Sequence, residues 1–415
     1  MRMLKYELGY YTVNNISFGT NKVSAVLEAQ KTGAEVGWYF FDESFKKANW
    51  LVEPTPTLDQ LYEIRARQIR DAYDYVIVFL SGGADSNNVI RSFLNNNIHV
   101  DEVIALIPES GLKNYNWNNK DVSAGNVMSE TKYAQYPILH EVSTKSTKTK
   151  ITVLDFFDDI VNMESDAWIY ESEGDLIGMT GARYGRLDSL THVKNLAEQG
   201  KRIASVWGTD KPIVGFSPTS SDVNFLLVDS PVYLPKYPFK NVYANVDRVL
   251  FYWSDELPEL MVKQAHVVAK EIHKPENIHI YNAVVNQGKK LFKPSNLSTD
   301  TILSNILTIN SESMSYSPKT VYQRGIVPFI YPNTHDPDLF QSRKFESGQT
   351  FHSAFNNWIK DLHGDTRIMQ MITSDFSLFY RRISPKYLNP NKTGFNVCRK
   401  IFKIGSHDDF KPLTK

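Results

Sequence analysis

Six apolar residues in unbroken succession, Tyr75-Val76-Ile77-Val78-Phe79-Leu80, run directly into Ser81-Gly82-Gly83-Ala84-Asp85-Ser86. A strand with no polar alternation is one buried on both faces, as in a parallel sheet covered by helices. The two glycines that follow let the backbone turn through conformations closed to other residues. Asn87 to Asn95 then reads as a helix, and Asp101-Glu102-Val103-Ile104-Ala105-Leu106-Ile107 as the next strand. Lys150-Ile151-Thr152-Val153-Leu154 and Arg202-Ile203-Ala204-Ser205-Val206-Trp207 repeat the pattern, with helical stretches between them. This alternation predicts an α/β fold with a doubly wound parallel sheet.

Three regions follow from the punctuation. Residues 1–70 read as a small N-terminal α+β region. It holds Tyr11-Thr12-Val13, a short helix around Val23 to Thr32 and the aromatic-rich stretch Val36 to Phe41. Glu53-Pro54-Thr55-Pro56-Thr57 then precedes a helix, with Thr57 as N-cap and Leu58, Leu61, Tyr62, Ile64 and Ile69 near helical spacing. Residues 71–230 carry the α/β unit. Residues 231–415 are expected to be mainly helical. There Ser254 or Asp255 caps a helix bearing Leu257, Leu260, Met261 and Ala265, and Thr301–Leu307, Ser353–Leu362 and Thr366–Phe379 are further helices. The polar run Ser143 to Lys150 is expected to be a solvated loop or turn.

Lys+Arg 46 against Asp+Glu 46 leaves no formal net charge, so no global attraction to nucleic acid or anionic membrane is expected. No apolar run approaches the roughly 20 residues that span a bilayer, and the start, Met1 to Glu7, lacks the apolar stretch of a secretory signal. The expected address is cytoplasmic. The Asn-, Lys- and Tyr-rich usage is that of AT-rich genomes, many large phages included, for which the host cytoplasm would be meant. Cys398 is the single cysteine. That excludes an intrachain disulfide, a CxxC redox pair, a cysteine zinc cage and a cysteine-ligated iron–sulfur cluster within the chain.

The loop after Leu80 has the makings of an anion site. It opens into a helix N-terminus, where unpaired N–H groups and the helix dipole favour negative charge, and Ser81 and Ser86 add hydroxyls. Asp85 would repel a phosphate unless a cation intervenes. Its expected role is therefore to hold Mg²⁺ or its water shell, or else to cap the helix. A second place of interest is Trp207-Gly208-Thr209-Asp210-Lys211-Pro212, whose strand should open at the same carboxyl edge. Lys211 there would neutralise phosphate charge held at the loop and Asp210 would share the cation, or the segment is an ordinary polar turn. Gly178 to Arg186, with Arg183 and Arg186 among glycines, either clamps phosphate or carboxylate or forms a connecting loop. His266, His273 and His279 lack a zinc motif and read as packing or surface residues. The aromatic-basic stretch from Phe379 to Lys403 reads more simply as a solvated tail than as a nucleic-acid contact.

Leu80-Ser81-Gly82-Gly83-Ala84-Asp85-Ser86 resembles the SGGxDS motif of the N-type ATP pyrophosphatases, the adenine nucleotide alpha hydrolase-like or PP-loop superfamily. The likeness covers Tyr75 to Leu106, with weaker support to Phe216. Asn87 and Asn88 depart from the small or hydroxyl residues common after the motif. The resemblance implies MgATP as cofactor and, for most members, an adenylated substrate with pyrophosphate leaving. It implies Ser81, Gly82, Gly83, Asp85 and Ser86 as the pyrophosphate-binding loop and Leu106 or Ile107 as the adenine contact. Asparagine-synthase-like synthetase domains are the most similar branch, with a carboxylate small molecule as the substrate. Glutamine-dependent members carry a Cys after the initiator, whereas Arg2 follows Met1 here. The expected nitrogen donor is then ammonia, an amine or a partner's product. A sulfonucleotide-reductase-like or nucleic-acid-base-modifying enzyme, or a non-catalytic ATP-binding interaction protein, is the alternative. Each would bring a different partner, a nucleic acid or another protein.

Overall fold

The computed structural model describes residues 9–19, 22–107, 131–155, 187, 190–208, 211–217, 219–228, 243–291, 321–322, 325–331 and 399–411. The N-terminal part pairs β1 (Tyr10–Val13) with β2 (Ile16–Gly19) and β3 (Val36–Tyr39) in an antiparallel sheet of order β2-β1-β3. Asn14 and Asn15 both take positive φ (52° and 64°), the backbone a two-residue hairpin needs. Helices α1 (Lys22–Thr32), α2 (Asp42–Lys47) and α3 (Leu58–Ala72) complete this part. Thr57 caps α3 as expected. Its side chain accepts from the Gln60 N–H while Gln60 reaches back to the Thr57 N–H, a reciprocal capping box.

The main sheet is all parallel. In chain order it uses β4 (Tyr75–Leu80), β5 (Glu102–Ile107), β6 (Lys150–Asp155), β7 (Ile203–Trp207) and β10 (Val246–Leu250). In space the order is β10-β7-β4-β5-β6. The chain thus grows outward from β4 through β5 to β6, then returns to add β7 and β10 on the other side. Helices flank this sheet: α4 (Ala84–Leu94), α5 (Tyr136–Lys145), entered by a π-helical turn at Thr131–Gln135, and α6 (Thr191–Glu198). Val76, Ile77, Val78, Val103, Ile104, Ile203 and Val206 are fully buried, which is why these strands show no alternation. At the amino edge, fully buried Glu102 accepts from Tyr75 Oη (3.0 Å), His192 Nε2 (2.8 Å) and Thr152 Oγ1.

A third sheet, order β11-β9-β8, is antiparallel and joins β8 (Ile213–Phe216), β9 (Asp222–Val228) and β11 (Arg399–Ser406). Trp50 ties it to the N-terminal part. Its ring stacks on both Phe225 (4.9 Å) and Phe402 (4.4 Å), which face each other across β9 and β11, and Lys400 pairs with Asp42 at 2.5 Å. The remaining α-helices among the described residues are α7 (Pro258–Ile272), α8 (Ile278–Leu291), α9 (Val327–Ile330) and α10 (His407–Phe410).

Several expectations shift. The parallel sheet takes its edge strand β10 from beyond residue 230. The C-terminal region, expected to be mainly helical, contributes strands β10 and β11 to two different sheets. Helix α7 is preceded by Leu257, not capped by Ser254 or Asp255; the Ser254 hydroxyl instead accepts from the Glu256 N–H at 3.1 Å. Ser143–Lys145 end α5, so only the residues just after them turn before β6. The helices expected at 301–307, 353–362 and 366–379 lie outside the described residues. No helix among the described residues is long and apolar enough to cross a membrane.

Candidate functional site

The loop Ser81–Ser86 leaves β4 at the carboxyl edge of the sheet and becomes α4 at Ala84. It adjoins the gap between β4 and β7, where the direction of strand addition reverses. In open α/β sheets the crevice at that reversal is where ligands bind. The loop is shaped by its own hydroxyls. Ser86 Oγ accepts from the Ser81 N–H (3.2 Å), donates to the Gly83 carbonyl (3.2 Å) and lies 3.1 Å from Ser81 Oγ. Ser81 Oγ accepts from the Gly83 N–H at 3.2 Å. Gly82 stands at φ +83°, and a Cβ there would lie 2.8 Å from the Gln135 backbone N and 2.8 Å from its Cγ. Only glycine fits such a turn without strain. The first-turn N–H groups of Ala84, Asp85 and Ser86 have no intrahelical acceptor and point out of the helix start.

Asp85 is held from three sides. Lys211 Nζ donates to Oδ2 at 2.6 Å and Tyr331 Oη to Oδ1 at 2.8 Å, while Tyr252 Oη donates to its backbone carbonyl at 2.7 Å. Asn88 Nδ2 in turn donates to Tyr252 Oη at 3.0 Å. The Asp85 and Lys211 side chains are 23% and 15% exposed, so the pair faces solvent only in part. Burial, and then the Asp85 charge, push the Tyr331 phenol well above its ordinary value. Burial likewise raises that of Tyr252, followed by Tyr62 and Asp85. Both phenols therefore act as fixed donors rather than bases. Lys211 reaches Asp85 because β7 ends beside α4: a Cβ on Gly208 would lie 2.8 Å from the Asp85 carbonyl oxygen.

The capping role for Asp85 is not what the structure has. Gly83 is the N-cap of α4 and no side chain caps it; the Asp85 carboxylate turns instead to Lys211 and Tyr331. Of the other expected residues, Leu106 and Ile107 end β5, next to the loop's own strand, half-buried and buried respectively. Asp210 and Arg183 lie outside the described residues. Among the described residues no cluster of three or more His, Cys, Asp and Glu groups could hold a metal. His266 is buried against the Trp50 carbonyl (2.8 Å), and His273 pairs with His407 at 3.0 Å; both are packing residues, as expected. Lys400 and Lys403 of the basic stretch pair with Asp42 and Asp222. An open depression of about 500 Å³ lined by Val13, Ile16, Phe18 and Glu28 sits on the N-terminal sheet, away from the loop.

Gln135, Tyr252 and Tyr331 were not expected at the site. Gln135 Nε2 donates to the carbonyls of Leu80 (3.0 Å) and Leu106 (3.3 Å), bridging the carboxyl ends of β4 and β5. These residues stand 50 to 250 positions from the loop, roughly, and no local pattern could assign them to it. The sequence matches no family model, and it matches no curated protein or solved structure.

Proposed function

We propose that this chain is an ATP-dependent enzyme that splits ATP into AMP and pyrophosphate to activate a substrate, a carboxylate in the simplest case, for amide or related bond formation. One observation carries the reading. The Ser-Gly-Gly-Ala-Asp-Ser loop stands at the strand-order reversal of a parallel sheet, and the β7 side delivers Lys211 to its helix start. Backbone N–H groups, two hydroxyls and a lysine make a donor set suited to a phosphate chain. Bound there, ATP supplies an electrophilic α-phosphorus and a pyrophosphate leaving group. The loop's task is to hold the leaving group's charge with donors already in place, since Ser81 and Ser86 are fixed by each other before any ligand arrives.

Mg²⁺ is usually held by one or two carboxylates plus phosphate oxygens. Asp85 fits that pattern once Lys211 exchanges the carboxylate for a phosphate, and Tyr331 keeps the carboxylate oriented meanwhile. The present Lys211–Asp85 contact also favours a second reading, a nucleotide-binding module without turnover, because it neutralises both charges that catalysis would use.

The test is incubation with Mg²⁺, α-labelled ATP and a small-molecule cell extract, compared with Asp85→Asn. Labelled AMP with equivalent pyrophosphate, lost in the variant, is the expected result. Labelled ADP would refute the α–β cleavage. ATP bound but unchanged would favour the binding module.

A further inference from the structure

Lys211 does not stand on a strand. It lies between β7, which ends at Trp207, and β8, which begins at Ile213. A lysine on a connecting segment has both its own rotamers and the backbone's freedom to lose, so a 2.6 Å contact with Asp85 Oδ2 requires that segment to be fixed. It is anchored on both sides. On the β7 side, Gly208 packs so closely on α4 that a Cβ there would lie 2.8 Å from the Asp85 carbonyl oxygen and 2.9 Å from Val89 Cγ2. On the β8 side the anchor is Tyr322. Its hydroxyl donates to the Pro212 carbonyl (2.7 Å) and accepts from the Val214 N–H (2.9 Å). β8 stands at the end of its sheet's order, with β9 along one side. An edge strand leaves such backbone groups to be satisfied by something other than a ladder. Tyr322 is 2% exposed, so its two bonds are made where water does not compete for them.

A little further along the chain, just beyond α9, Tyr331 holds the other charge, donating to Asp85 Oδ1 at 2.8 Å. Tyr62 Oη donates to the Ile330 carbonyl beside it, and Ile326, Val327 and Ile330 are buried, so α9 shifts only by opening the core. Tyr322 and Tyr331 thus address the two members of one ion pair, Lys211 through its backbone and Asp85 through its carboxylate. Resting on the reading of the loop as a phosphate site, we infer that Tyr322 is a positioning residue for Lys211. Through Pro212 and Val214 it fixes the main chain from which the ammonium is presented at the helix start, to Asp85 in the empty loop and to phosphate in the filled one.

Acetylation of amines on the native full chain, read lysine by lysine by mass spectrometry, tests this. Lys263 is the internal reference: its side chain is 13% exposed and paired with Glu53 at 2.7 Å, against 15% and 2.6 Å for Lys211. In the wild-type protein both should react far more slowly than Lys31, which is 78% exposed. Tyr322→Phe keeps the ring and removes the bridge. It should speed Lys211 about fivefold, the worth of one net hydrogen bond, and leave Lys263 unchanged. Tyr322→His, whose shorter ring cannot span both backbone groups, takes its place if the phenylalanine variant does not fold. Wild-type Lys211 reacting like Lys31, or an unchanged Lys211 rate in the variant, would overturn the assignment. So would equal acceleration of Lys211 and Lys263, which a general loosening would produce. ATP with Mg²⁺ separates this inference from the reading of the loop. It should slow Lys211 further in the wild-type chain, and half of that protection should need about fivefold more ATP in Tyr322→Phe. Equal ATP requirements would overturn the role of Tyr322 and leave the loop a nucleotide site. No effect of ATP on the wild-type chain would refute the loop as a phosphate site, and this inference with it.

Discussion

Gly82→Ala is the most pointed perturbation of the loop, and its cost can be worked from two terms. Gly82 stands at φ +83°. An L-residue held in the left-handed region costs about 1–2 kcal/mol. The added methyl would also lie 2.8 Å from the Gln135 backbone N, 2.8 Å from Gln135 Cγ and 3.0 Å from Ala134 Cβ. Two of these three neighbours are backbone or a Cβ, so a side-chain rotation alone cannot clear the space. Overpacking of this kind costs about 1–3 kcal/mol. The expected loss is the sum, about 2–5 kcal/mol, read by urea unfolding followed through tryptophan fluorescence. Gly83→Ala is the internal control. Gly83 has φ −67° and ψ 163°, which any residue adopts, so its loss should stay near or below about 1 kcal/mol, that of a poor N-cap. A Gly82→Ala loss below about 1 kcal/mol, or one equal to that of Gly83→Ala, would refute the reasoning. The loop would then not be pinned between β4 and the Gln135 turn.

Three further outcomes are expected. Lys211→Met removes a charged donor 2.6 Å from a largely buried carboxylate and should cost about 1.5–3 kcal/mol; the double variant with Asp85→Asn should cost less than the sum of the singles, and an additive cycle would mean that the two side chains do not interact in solution. Burial lowers the values of His266, His273 and His407, which therefore remain neutral in the fold while the unfolded chain takes up protons. Their contribution is fully present above an unfolded value of about 6.5 and is lost as pH falls below it, so urea midpoints should drop on acidification from neutral to about pH 5.5, and by less in His273→Phe; an unchanged slope in that variant would remove His273 from the account. Phe402 stacks on Trp50 at 4.4 Å but is only half-buried, so Phe402→Ala should cost about 2 kcal/mol, under the 3–5 of a fully buried phenylalanine. A loss near zero would mean that β11 does not anchor the N-terminal part.

What the sequence by itself determined is local. The strand Tyr75–Leu80, the glycine turn and the helix after it follow from an apolar run, two glycines and the requirement that a doubly buried strand have no polar face. Thr57 and Gln60 announce the start of α3 through a bond pattern contained within four residues. Asp85 and Lys211 were legible as charged residues at two loop ends, since parallel strands of one sheet open at one edge. Their direct contact was not. It depends on β7 adding beside β4 rather than beyond β6, a choice made by the packing of the whole sheet. For the same reason Val246–Leu250 and Arg399–Ser406 did not declare themselves as strands of two different sheets: a strand's partner is set by long-range burial, which short windows do not carry. Tyr331, Tyr252 and Gln135 reach the loop only because distant segments fold onto it, and their tyrosine and glutamine chemistry leaves no periodic trace. Tertiary structure thus decided who surrounds Asp85, because contacts between segments so far apart are fixed by the closure of the fold and not by any residue's neighbours in the chain.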